Sequence, residues 1–157
     1  MELKRQKTPE QALATLERLS ARAEKCTDDA VRLLRKWNIE SKEWAGILDS
    51  LHKNRFIDDQ RYAGVFIREK TGLSNWGPQK IRAALINKRI DEKLIDSQMK
   101  LFFTQNSVER LKPLLEKKLL SIREDDLGKL REKLIRFALS KGYEIADVLS
   151  CLETILG

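Results

Sequence analysis

The run Ala30-Val31-Arg32-Leu33-Leu34-Arg35-Lys36-Trp37-Asn38-Ile39 recurs as Ile81-Arg82-Ala83-Ala84-Leu85-Ile86-Asn87-Lys88-Arg89-Ile90 and again as Leu134-Ile135-Arg136-Phe137-Ala138-Leu139-Ser140-Lys141-Gly142-Tyr143. The offsets between copies are 51 and 53 residues. Each copy reads as a helix and runs into a second phrase whose apolar positions also match: Trp44, Leu48, Leu51; Ile95, Met99, Phe102; Val148, Leu152, Ile155. Self-similarity at a period of about 20–50 residues marks stacked small units, none able to bury its apolar face alone. Such arrays present long surfaces to macromolecules more often than they enclose small substrates.

Helix punctuation extends each pair of phrases to three helices. Thr8-Pro9-Glu10 opens the first unit, with Thr8 as N-cap and Pro9 at the first helical position. Thr27-Asp28-Asp29 opens a second helix with acids at its positive dipole end, and Ser41 starts a third. Asp58-Asp59 opens the second unit, Gly77-Pro78 its next helix, and Asp91 caps the one after. The expected architecture is all-α: an elongated, curved array of three tandem three-helix repeats over residues 1–57, with a basic N-terminal lead, 58–108 and 109–157. Leu34, Leu48 and Leu51, with partners Leu85, Met99 and Phe102, are the expected core. Trp44 is expected inside and Trp37 at the periphery. Carrying Pro113 back by 53 and then 51 residues reaches Gln60 and Pro9, so Pro113 is expected at a helix start. The two extra residues of the last unit are expected within Arg123–Asp126. Asn and Gly tolerate the left-handed conformation that closes many helices, and Arg does so less readily. Arg89, between Asn38 and Gly142 in the register, is therefore expected to be kept for its side chain or to mark a different helix ending.

A chain of 157 residues with 41% apolar residues, 35% charged residues, 3 Pro and 7 Gly suits slender helices with much exposed surface. No apolar run approaches the roughly 18–20 residues that span a bilayer. The charged start, Met1 to Lys7, has no apolar segment after it, so neither secretion nor a membrane partner is expected. Cys26 and Cys151 lack metal-binding spacing and are expected reduced. The charge is uneven. Residues 1–60 hold 12 basic and 11 acidic residues and residues 113–157 hold 8 of each, whereas residues 61–112 hold 11 and 5. Arg68, Lys70, Lys80, Arg82, Lys88 and Arg89 face only Glu69 in this count, and form the candidate surface for a polyanion or an acidic protein.

Catalytic patterns do not assemble. There is no phosphate-binding glycine loop, nucleophile elbow or HExxH, and no cofactor or metal is expected. The one histidine, His52, reads as a partly buried helix-end residue. Of Asp58 and Asp59, one is expected to cap the helix and the other to meet its dipole. Trp76, in the loop before Gly77-Pro78, could stack on a base or partner side chain, or pack between units.

The middle of the chain resembles the RecX family of bacterial regulatory proteins. The resemblance rests on Phe56-Ile57-Asp58-Asp59-Gln60-Arg61-Tyr62-Ala63, on Phe66-Ile67-Arg68, on Gly77-Pro78, Ile81 and Leu85, and on Lys88-Arg89-Ile90. The family usually has Lys-Gly-Ile in the last phrase and Gly where this chain has Asn38. Similarity is sharpest over residues 34–95. The resemblance implies a cytoplasmic, non-enzymatic modulator of homologous recombination, DNA repair and the SOS response. Such a protein would lodge, expected here as a monomer, in the groove of the RecA–single-stranded-DNA filament. There it would block filament growth, ATP hydrolysis, strand exchange and coprotease function. A direct binder of single- or double-stranded DNA is the second reading, and an enzyme the third.

Overall fold

The computed structural model describes residues 6–103 and 107–157. Within them the chain forms α1 (Pro9–Arg22), α2 (Thr27–Lys36), α3 (Ser41–Lys53), α4 (Asp59–Gly72), α5 (Pro78–Asn87), α6 (Glu92–Phe102), α7 (Ser107–Ser121), α8 (Leu127–Lys141) and α9 (Ile145–Leu156). The described residues include no strand, and three helices fall in each repeat. Of the basic N-terminal lead, Met1–Arg5 lies outside the described residues.

The helix starts follow local chemistry. Thr8 Oγ1 accepts from Gln11 N–H at 3.2 Å, and Gln11 Oε1 accepts from Thr8 N–H at 3.0 Å, a reciprocal capping box. The ends of the three second helices are alike. Asn38, Arg89 and Gly142 all have positive φ, at 56°, 56° and 96°. In each case the next residue's N–H returns to the carbonyl five back, Ile39 to Leu34, Ile90 to Leu85 and Tyr143 to Ala138, at 3.0–3.3 Å. This is the Schellman ending, whose following apolar residue folds under the helix; Ile39, Ile90 and Tyr143 are all buried. Arg89 therefore does not mark a different ending. It holds a left-handed conformation that strains a non-glycine residue.

The buried positions keep the repeat register. Ala12, Ala63 and Leu111 correspond, as do Leu16, Ile67 and Leu115 on the first helices, then Ala30, Ile81 and Leu134, and Leu34, Leu85 and Ala138 on the second helices. The first-helix offsets are thus 51 and 48 residues, and the second-helix offsets 51 and 53. Five residues, not two, are inserted between the first and second helices of the last repeat. The 48-residue offset carries Pro113 onto Val65 in mid-helix, and α7 indeed begins six residues before Pro113. The helix-start expectation fails because the offset was measured on second helices alone. Pro113 is tolerated because it is exposed, so the carbonyl of Glu109, which no N–H of Pro113 can serve, lies on the wet side of α7. The expected boundary after residue 108 also falls within the first turn of α7.

The tryptophan expectation is reversed. Trp37 is 7% exposed and belongs to the core, whereas Trp44 is half-buried at its edge. Trp44 keeps a rim position because its indole N–H donates to the Ile39 carbonyl at 2.9 Å. On α3 the inward pair is Ile47 and Leu51, four residues apart, and Leu48 sits at the margin. Met99 and Phe102 are likewise only half-buried, with Ile95 the buried residue of α6. Both cysteines are free and buried. Burial pushes the Cys26 thiol up to about 12, and the Asp29 carboxylate beside it adds to the shift.

The chain divides into two compact units: Met1–Val65 with Leu85–Ile95, and Phe66–Ala84 with Asp96–Gly157. The first holds a core of Ala12, Leu16, Leu34, Trp37, Ile47 and Leu51 among others. The second holds one around Leu111, Leu115, Leu134, Val148 and Leu152.

Candidate functional site

In the first unit the aspartate–aromatic phrase ties helices together. Asp58 caps α4, its Oδ1 accepting from Arg61 N–H at 3.0 Å. Asp59 does more than meet its own helix dipole. Its Oδ1 accepts from Thr27 N–H at 2.7 Å and from Thr27 Oγ1 at 3.0 Å, so it also serves the start of α2. Arg61 Nε donates to Glu24 Oε1 at 2.8 Å, and its Nη2 donates to the carbonyls of Arg55 and Phe56 at 3.1 and 3.3 Å. Ala63 is fully buried, and Tyr62 N–H donates to the Asp58 carbonyl. Asp59 and Arg61 thus tie the start of α4 to Thr27 and Glu24 of the first repeat, and Asp58 caps α4 itself.

Two candidate cations also act within this unit. Lys88 Nζ donates to Asp29 Oδ1 at 2.6 Å, and Arg89 Nε lies 3.9 Å from Asp28 Oδ1. Asp28 is 9% exposed and also holds Arg32 at 2.8 Å. Burial alone would raise the Asp29 carboxyl. The Lys88 ammonium and the Cys26 N–H outweigh it and hold the group below the usual carboxylate range. Arg89 is therefore placed at a left-handed helix end with its side chain toward the first turn of α2. His52 is exposed rather than partly buried, with Nε2 3.1 Å from Thr27 Oγ1.

In the second unit the end of α8 meets the start of α5. Gly77 N–H donates to the Lys141 carbonyl at 2.6 Å and Gln79 N–H to the Gly142 carbonyl at 3.0 Å, so the orphan groups of two helix ends satisfy each other. Only glycine permits this approach. A Cβ on Gly77 would stand 2.7 Å from the Gly142 carbonyl, and one on Gly142 would stand 2.3 Å from Lys80 Cβ. Trp76, just before, is held by cations. Lys70 Nζ and Lys80 Nζ lie 4.7 and 4.5 Å from its ring centre, and Phe66 meets it edge-on at 6.2 Å. Lys80 Nζ also donates to the Ser140 carbonyl at 3.2 Å, as Lys141 Nζ does to that of Ser74. Arg68 is exposed, and Arg82 pairs with Asp96.

The six candidate cations are thus not alike. Lys70 and Lys80 come together on Trp76, Arg82, Lys88 and Arg89 engage acids, and Arg68 stands in solvent. Glu69 is not their only counter-charge: Asp28 and Asp29 lie some sixty residues away in sequence, outside any local charge window. The signal that could have found them is the register itself, which sets Asp28 and Asp29 level with Gln79 and Lys80, the residues facing the end of α8. No group of three or more histidines, cysteines or carboxylates able to hold a metal occurs among the described residues. No helix among them is long and apolar enough to cross a membrane. Of the candidate residues, Arg68 is exposed and Lys70 and Lys80 meet on the half-buried Trp76.

Comparison with known proteins agrees with this framework. Residues 58–97 match the family described as RecX, second three-helix domain, and residues 105–152 match RecX, third three-helix domain. The chain is 32% identical over 148 residues to the regulatory protein RecX of Clostridium tetani, covering 84% of this chain and 68% of that one. It is 36% identical over 139 residues to the regulatory protein RecX of Clostridium botulinum strain Eklund 17B, covering 87% and 63%. It thus spans about two thirds of the length of these curated relatives. The crystal structure of RecX from Lactobacillus salivarius superposes with a TM-score of 0.82 at 20% identity over 93% of this chain and 95% of that one, a likeness of fold. With two successive three-helix domains matched and a relative 32% identical over more than two thirds of its length, the chain belongs to the RecX family.

Proposed function

We propose that the chain is a cytoplasmic, non-enzymatic regulator that binds, as a monomer, in the groove of the RecA–single-stranded-DNA filament. There it restrains recombinase, ATPase and coprotease activity in homologous recombination, DNA repair and the SOS response. The observation that carries this reading is the match of two successive three-helix domains to RecX, with relatives named regulatory proteins. The test is titration of the purified chain into RecA–single-stranded-DNA filaments while ATP hydrolysis is followed. Hydrolysis should fall with added protein; an unchanged rate at saturating protein rejects the proposal.

Direct binding to DNA is the second reading, favoured by the basic excess of residues 61–112. The pairing of Arg82, Lys88 and Arg89 with carboxylates argues against it, because those charges are already engaged. Salt separates the two readings: phosphate binding weakens steeply with salt through counterion release, and a partly apolar protein contact weakens less.

A further inference from the structure

A cleft of about 610 Å3 opens in the second unit between the end of α7 and one face of α8. Ile122 and Phe137 give it an apolar lining, with Lys118, Arg123, Lys133 and Arg136 around them. Lys118 Nζ lies 5.1 Å from the centre of the Phe137 ring, and Glu124 holds Lys133 at 3.0 Å. The repeat register shows what this cleft corresponds to. First helices are offset by 48 residues and second helices by 53, so Lys118 takes the place of Lys70 and Lys133 that of Lys80. In the second repeat those two lysines hold the Trp76 ring. In the third repeat the same offsets carry Trp76 onto Glu124 or Lys129, and Ile122–Asp126 contains no aromatic residue. The cleft is flanked by lysines as the Trp76 seat is, but the ring it holds is Phe137, set against Lys118, and Glu124, level with Trp76, holds Lys133, so no tryptophan stands between the two lysines.

We propose that this cleft binds an acidic peptide segment carrying one aromatic side chain. The ring enters between Lys118 and Lys133 beside Phe137, and flanking carboxylates pair with the exposed Arg123 and Arg136. Two features favour a peptide over a nucleic-acid strand. The occupant of the equivalent seat is a protein side chain. The seat's hydroxyls are also turned away from a phosphate: Ser121 Oγ donates to the Lys118 carbonyl at 2.7 Å and Ser140 Oγ to that of Phe137 at 2.6 Å. The inference is independent of the recombinase reading, since it fixes the chemistry of the segment and not its source.

The test uses the full chain and a fluorescein-labelled peptide of mixed Asp and Glu around one Trp, followed by fluorescence anisotropy at low salt. Replacing the peptide's Trp by Ala should weaken binding at least about tenfold, as loss of an aromatic anchor does. Arg123→Glu with Arg136→Glu should do the same, with helicity by circular dichroism unchanged. Glu124→Trp, which offers the cleft a tryptophan of its own, should block the peptide without reversing a basic charge. Absence of peptide binding, or binding indifferent to the peptide's Trp and to these variants, overturns the proposal. So does a labelled oligothymidine that needs Arg123 and Arg136 while the peptide does not bind.

Discussion

Asp58, Asp59, Asp28 and Asp29 show how much a single carboxylate's meaning depends on what faces it. Asp58 is a local cap, and Asp58→Ala should lower stability by about 0.5–2 kcal/mol, read by urea unfolding. Any loss of filament inhibition should follow that loss of stability; a variant as stable as the parent but inactive would instead make Asp58 a contact residue. Asp29 is a long-range partner. Its carboxyl is held below the ordinary range in the folded chain, so the folded state binds that proton less readily than the unfolded one. The Asp29–Lys88 contribution is therefore complete above the unfolded carboxyl value of about 3.9. It is lost as pH falls through the lower folded value. Lys88→Ala should cost about 1–3 kcal/mol near neutral pH by leaving a mostly buried carboxylate with the Cys26 N–H but without its cation. The gap between parent and variant should close on strong acidification, and a gap independent of pH would reject the pairing. The caps were legible in the sequence because a cap and its helix are neighbours. The Lys88 and Arg89 partners were not, because nothing local announces a contact across some sixty residues.

The helix ends settle the architecture at the scale of elements. Three second helices close by the same Schellman turn on Asn38, Arg89 and Gly142, but what meets those ends differs. In the first unit Lys88 and Arg89 reach carboxylates at the start of α2. In the second, backbone meets backbone at Gly77 and Gly142. Gly142→Ala combines a positive φ with a Cβ 2.3 Å from Lys80 Cβ, so it should destabilise by more than about 1 kcal/mol in thermal or urea unfolding. Replacement of Asn38, which carries a Cβ already, should do less. Leu85 is fully buried at its repeat position, and Leu85→Ala should cost roughly 2–5 kcal/mol by the same measurement. A cost below 1 kcal/mol at Leu85 would mean that the register assigned to the second helices is wrong. Pro113 belongs to this scale as well: one offset taken from α5 and α8 could not date an insertion lying before α8.

For the whole molecule, the basic excess of residues 61–112 divides into free and engaged charges. Arg68→Glu removes an exposed cation and should weaken inhibition of filament ATP hydrolysis with little change in melting temperature. Lys88→Glu sets a carboxylate against Asp29 and should lower the melting temperature by several degrees, at about 2–4 °C per kcal/mol for a chain of this size. Equal melting losses from both, or an unchanged inhibition with Arg68→Glu, would leave the free charge without a role. By itself the sequence determined the helical class, the threefold repeat with the register of its second helices, the caps and the apolar positions of those helices, because all of these are carried by residues within a turn or two of one another or by repetition along the chain. Only the tertiary structure decided that Trp37 goes inside while Trp44 stays at the rim, that Lys88 and Arg89 are partnered, and that Gly77 and Gly142 touch. Burial and pairing of those side chains are set by what another helix brings to them, and a linear pattern records only which residues are available to meet.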